Sequence, residues 1–247
     1  MKSLKSLIIT TSNNKLSDTA NKTGVWMEDL AAPYFILKDG GEYITIVSPK
    51  GGQIPLDPIS NSAAAATENT IRFQHDPQAM YHFSHSLPIK EVKAEDFDLV
   101  FLSGGYGAMW DFPENKKLKK LLEDFSRQNK PIGLVGHAVA ALVFLKKENG
   151  EPLVKGRKLT AFSNREEELA GLNEKPPFLL ESKLISLGAL YGKAVEFTNN
   201  VVVDGNIITG QNPASSVETA KLLLSLAHRK KKLAELKASE KSIHYYR

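Results

Sequence analysis

An apolar run, Pro131-Ile132-Gly133-Leu134-Val135, leads directly into Gly136-His137-Ala138-Val139-Ala140-Ala141-Leu142. This reads as a buried strand turning sharply into a helix. A tight strand-to-helix elbow projects one side chain above a sheet, and α/β enzymes of several kinds mount a nucleophile there. Here the projecting residue is Gly136, which has no side chain, and the chain contains no cysteine. Thiol catalysis, thiolate metal sites and disulfides are excluded together. Ser103 and Ser163 are the hydroxyls nearest the predicted sheet edge, and neither sits at an elbow beside a positioned base. His137 follows the elbow and is suited by type to a structural, an acid/base or a metal-binding role. His75, His82 and His85, with Glu91 nearby, form a second histidine-bearing stretch. Phe83 and Pro88 interrupt its pattern, and no metal site is expected.

Strand and helix signals alternate around this elbow. Short apolar strands are expected at Leu7–Thr10, Tyr43–Ser48, Leu99–Ser103, Ile132–Val135, Leu159–Phe162, Val201–Val203 and Ile207–Thr209. Amphipathic helices are expected at Val25–Leu37, Asn115–Gln128, Ala138–Lys146, Pro177–Leu187 and Ala214–Ala227. Continuously apolar strands between helices predict an α/β fold, a mainly parallel sheet with helices on both faces. Ser60–Thr70, small and polar, reads as a surface excursion. In such sheets ligands bind beyond the carboxyl ends of the strands. Three sharply turning segments fall there: Gly104-Gly105-Tyr106-Gly107, Gly136-His137 and Gly210-Gln211-Asn212-Pro213. Glycines at these turns allow backbone N–H groups to face an anion or oxyanion.

The 247 residues suffice for one large α/β domain, and 42% hydrophobic with 24% charged residues is ordinary for a globular protein. No apolar run reaches the roughly 20 residues that span a bilayer, so a cytoplasmic location is the default. The net charge of +4 is concentrated in residues 228–247, which hold seven Lys/Arg and two Asp/Glu. The basic balance thus describes a tail rather than a nucleic-acid surface. Arg229-Lys230-Lys231-Lys232 is expected at the end of a helix, where cations favour the dipole. Residues 1–227 read as one domain, followed by this basic tail.

Several longer motifs occur in order. They are Ser48-Pro49-Lys50-Gly51-Gly52 continuing to Pro55-Leu56-Asp57-Pro58, then Gly104-Gly105-Tyr106-Gly107-Ala108-Met109-Trp110-Asp111. Thr160-Ala161-Phe162-Ser163-Asn164 with 166–168, and Gly210-Gln211-Asn212-Pro213-Ala214-Ser215, complete the set. From about Ser6 to Leu226 the chain resembles the ThiJ/PfpI superfamily, the class I glutamine amidotransferase-like, flavodoxin-like fold, closest to its heat-shock chaperone and glyoxalase III branch. That resemblance implies a Cys-His pair on the elbow, a glutamate from the first helix beside the thiol, and conversion of methylglyoxal to D-lactate without a cofactor. By position the glutamate is Glu28, the histidine His137 and a supporting acid Glu167, with Gly136 at the nucleophile position. The family's Cys-His-Gly-Pro reads Gly136-His137-Ala138-Val139, and the histidine common in its Gly-Gly-His-Gly is Tyr106.

Glu28, within Trp26-Met27-Glu28-Asp29-Leu30, is then either a helix-terminal acid or a partly buried acid/base with a raised pKa. Gly105, Tyr106, Gly107 and Trp110 are expected to wall a ligand pocket, with backbone N–H groups at Gly105, Gly107 and His137 facing an anion. Glycine at the elbow relieves the strain a nucleophile bears there, of order 1–3 kcal/mol, so a more relaxed elbow is expected. The favoured expectation is a non-thiol binding or chaperone-like protein, homodimeric by family analogy, with a small carbonyl or anionic ligand and no nucleic-acid or membrane partner. The alternative is an enzyme using Glu28 for cysteine-independent acid/base chemistry, glyoxalase III or lyase-like, on a small carbonyl compound.

Overall fold

A computed structural model describes residues 3–17, 20–172 and 174–245, with side chains to residue 237. In chain order the elements are β1 (Lys5–Ile9), α1 (Met27–Asp39), β2 (Tyr43–Ser48), α2 (Glu68–His75), α3 (Pro77–Ser84), β3 (Leu87–Pro88) and β4 (Leu99–Leu102). There follow α4 (Ala108–Asp111), α5 (Lys116–Arg127), β5 (Ile132–Val135), β6 (Lys158–Leu159), α6 (Asn164–Leu169) and α7 (Leu180–Ser186). The last are β7 (Leu190–Tyr191), β8 (Val201–Asp204), β9 (Ile207–Gly210) and α8 (Ser216–Tyr245).

Seven strands form one sheet in the order β3-β2-β1-β4-β5-β9-β8. Every pairing is parallel except β8 with β9. The pleat sends alternate side chains to opposite faces. Leu7, Ile9, Val100, Leu102, Ile132 and Leu134 pack in the core under α5 and the elbow segment. Leu4, Ile8, Leu99, Phe101, Val135 and Ile208 pack in the other, under α1 and α8. Burial on both faces explains why these strands read as continuous apolar runs. Chain order reverses between β1 and β4, the kind of switch point where a crevice opens beyond the strand ends.

Three local expectations are corrected. The segment after β5 is a 3₁₀ helix over Gly136–Leu142, not an α-helix to Lys146. Its small residues, Ala138, Ala140 and Ala141, let the tighter coil lie close on the sheet. The strand expected at Leu159–Phe162 shrinks to β6, paired with β7 in a separate two-stranded sheet. Residues 60–70 lie largely at the surface, as expected; they form short 3₁₀ turns and enter α2 through a capping box made by Thr67 and Thr70.

The C-terminal helix does not end near Ala227. It runs on as α8 through the basic cluster, so those cations lie within a helix. Lys230 Nζ donates to the Asn129 carbonyl at 2.7 Å and Lys231 Nζ to the Ser3 carbonyl at 3.0 Å. Both tie α8 to the end of the sheet away from the elbow. Tail residues 246–247 lie outside the described residues. No helix among the described residues is long and apolar enough to cross a membrane.

Candidate functional site

The ends of β4 and β5 and the start of α1 converge on one spot. After β4, Gly105 has φ +108°, and a β-carbon there would stand 2.4 Å from both the Gly24 carbonyl oxygen and the Trp26 nitrogen. Only glycine lets the turn press against the entry to α1. Trp26 N–H then donates to the Gly104 carbonyl at 3.1 Å, fixing where α1 begins.

After β5, Gly136 adopts φ +55°. The elbow therefore keeps left-handed backbone geometry; glycine removes the energetic cost without changing the shape. An ideal β-carbon on Gly136 would have Asp29 Oδ2 at 3.8 Å and the Gln211 carbonyl oxygen at 4.0 Å, ordinary contact distances. Room for an elbow side chain is present, and a carboxylate borders it.

That carboxylate belongs to Asp29, which the sequence reasoning did not select. Its Oδ1 accepts the Ser216 hydroxyl at 2.8 Å, leaving Oδ2 toward the elbow. Burial pushes its pKa up to about 8, against the Ser216 hydrogen bond and with a smaller contribution from the Glu28 charge. Glu28 is buried too, and its carboxyl is also raised, chiefly by desolvation. It faces elsewhere: Thr67 Oγ1 donates to it at 2.5 Å and Asn69 Nδ2 at 3.1 Å. Glu28 anchors the 60–70 segment and is not among the residues lining the cavity.

His137 and Glu167 are brought together. His137 Nε2 lies 2.8 Å from Glu167 Oε1, and the acceptor holds the ring proton on Nε2. Tyr106 donates its hydroxyl to Glu167 Oε2 at 2.5 Å, and burial and the Glu167 charge push the phenol pKa up, keeping the donor protonated. The imidazole packs against the rings of both Tyr106 and Phe162, with centroids 4.1 and 4.4 Å away.

A cavity of 280 Å³ opens over these groups, lined by Asp29, Gly105, Tyr106, Gly136 and His137 and walled by Trp26, Ile59, Phe162, Leu172 and Phe197. Asp57 contributes a second acid, held by Thr23 Oγ1 at 2.9 Å. Two expected wall residues are placed elsewhere. Gly107 N–H is taken by the Gly24 carbonyl at 3.2 Å, and Trp110 packs against the core beneath α5. Ser163 caps α6 by accepting from Glu166 N–H at 3.2 Å, and Ser103 is fully buried, so neither stands at the elbow. His75 and His85 are engaged by carbonyls one turn back, and among the described residues no three His, Asp or Glu gather as a metal would require.

Residues 22–226 match the DJ-1/PfpI family. The fission yeast Schizosaccharomyces pombe has a protein named glutathione-independent glyoxalase hsp3101 that is 28% identical, over 83% of this chain and 88% of its own. The crystal structure of glyoxalase III from Candida albicans superposes with a TM-score of 0.82 at 25% identity, covering 90% of this chain and 96% of that one. The 24 kDa rapid encystment protein of Francisella tularensis superposes with a TM-score of 0.86 at 35% identity, covering 91% and 99%.

Proposed function

Because the chain belongs to the DJ-1/PfpI family, we propose that it holds a small carbonyl compound non-covalently above Gly136 and performs no thiol-dependent turnover. The carrying observation is the open notch at Gly136 edged by Asp29 Oδ2 at 3.8 Å. A thiol there would form a hemithioacetal with methylglyoxal; glycine leaves the same space free for the ligand itself. Relatives named glyoxalases supply the ligand class. Asp29, protonated over much of the neutral range, is suited to donate a hydrogen bond to a carbonyl oxygen. A chaperone-like role and a homodimer are proposed on the family resemblance alone.

A second reading makes Asp29, rather than Glu28, an acid/base that moves a proton between adjacent carbons of the bound ligand. Its pKa of about 8 favours this, since a proton shuttle works best with a pKa near the working pH. Ligand-observed NMR with hydroxyacetone, beside an assay of D-lactate formed from methylglyoxal, separates the readings. Binding without lactate supports the first. Lactate production lost in Asp29→Asn supports the second, and no binding at all rejects both.

A further inference from the structure

Among the described residues, three non-glycine residues have positive φ: Ser17, Asn129 and Phe197. Asparagine tolerates this region, but a bulky aromatic at φ +57° is strained. Phe197 is held there by an acid. Its N–H donates to Glu166 Oε1 at 2.8 Å, and Asn212 Nδ2 donates to the same oxygen at 2.8 Å. Ser163 N–H donates to Glu166 Oε2 at 2.8 Å, and Glu166 is completely buried. Asn212 also donates to the Thr198 carbonyl at 2.9 Å, tying down the residue after Phe197.

This clamp does not put the ring in the core. Phe197 is 49% exposed and stands at the cavity, its centroid 6.1 Å from Phe162, which itself lies against His137. A strained backbone that leaves an aromatic half in water contributes little to folding. Strain of this kind collects where a site needs one side chain in one place.

We infer that Phe197 is a specificity-determining residue that selects carbonyl compounds bearing a flat apolar substituent, aryl ketones and aryl aldehydes, over methyl-sized ones. This rests on the reading of the cavity as a carbonyl site. The walls offered by Trp26, Tyr106, Phe162, Leu172 and Phe197 are apolar, and among the described residues no Lys or Arg lines the cavity to attract an anionic substituent. At 280 Å³ the space is near the lower end of small-molecule pockets, about 300 Å³. That is room for one ring beyond the carbonyl. Glu166 acts as a positioning residue through the Phe197 backbone.

The test compares affinities of the full chain for 2-hydroxyacetophenone and hydroxyacetone by ligand-observed NMR titration. The aryl ketone should bind about tenfold more tightly, the scale of one good aromatic contact. Phe197→Gly should lower that ratio severalfold while the melting temperature holds or rises, because glycine accepts φ +57° without strain. Phe197→Tyr should keep the ratio, and Glu166→Ala should lower it by releasing the ring. A ratio unmoved in Phe197→Gly overturns the inference. So does a wild-type protein that binds both ketones equally, which leaves the carbonyl reading standing. Failure of both ketones to bind removes the carbonyl reading and this inference with it.

Discussion

Asp29 Oδ2 stands 3.8 Å from the point a β-carbon on Gly136 would occupy, while its neighbour Glu28 turns away to Thr67 and Asn69. The elbow therefore keeps an acid beside an unfilled position.

Asp29 sets a pH dependence of stability. Its folded pKa, about 8, lies far above the unfolded value of about 3.9. Between the two the folded state binds more protons, so stability falls as pH rises from about 4 to about 8 and levels off above that. Glu28, also raised, acts in the same sense. Melting curves of wild type and Asp29→Asn across this window should diverge, with the variant's decline much shallower. Parallel curves would show that Asp29 ionises normally.

Gly136 should tolerate a side chain and Gly105 should not. Gly136→Ala meets only contacts of 3.8 Å or more, so its cost is the left-handed backbone, about 1–2 kcal/mol. Gly105→Ala drives a methyl to 2.4 Å from the Gly24 carbonyl oxygen and should cost clearly more in urea denaturation. Gly136→Cys should install a thiol that labels with iodoacetamide and confers methylglyoxal turnover. An unreactive thiol in a folded Gly136→Cys protein would contradict the elbow geometry described above.

Glu167 joins two buried donors. Tyr106→Phe strands one oxygen of the buried Glu167 carboxyl and should cost about 2 kcal/mol, whereas Glu167→Ala strands both the Tyr106 hydroxyl and the His137 N–H and should cost about 3 kcal/mol or more. The double variant should lose less than the sum, because the phenylalanine leaves no hydroxyl to strand. Strict additivity in urea denaturation would count against the shared acceptor.

Glu28 should be separable from the ligand. Glu28→Gln should change hydroxyacetone affinity by less than about twofold, because Glu28 does not line the cavity and its charge is the smallest of the contributions to the raised pKa of Asp29. The same variant should speed proteolysis or hydrogen exchange in residues 60–70, whose Thr67 and Asn69 it holds. Loss of binding with that segment intact would return Glu28 to the ligand.

The sequence alone determined the central apolar strands and the position of the elbow. Ile132–Val135, Leu99–Leu102 and Tyr43–Ser48 are legible because strands covered on both faces must be apolar throughout. The resemblance assigned His137 and Glu167 to one site by motif position, and the fold sets them 2.8 Å apart. Gly136 was legible as the missing nucleophile because only one residue can project from such an elbow.

The choice between Glu28 and Asp29 belonged to the tertiary structure. Adjacent helical residues point about 100° apart, so either acid could have faced the elbow until the docking of α1 on β1, β2, α2 and α8 fixed its rotation. Phe197 was equally hidden. Nothing in Glu196-Phe197-Thr198 signals a positive φ; that conformation is imposed by Glu166, distant in sequence and buried under the loop. The chain's residue types could specify which groups are available and which strands bury them. Only the packing of distant segments, whose hydrogen bonds and contacts outweigh local preference, decided which groups meet at the cavity.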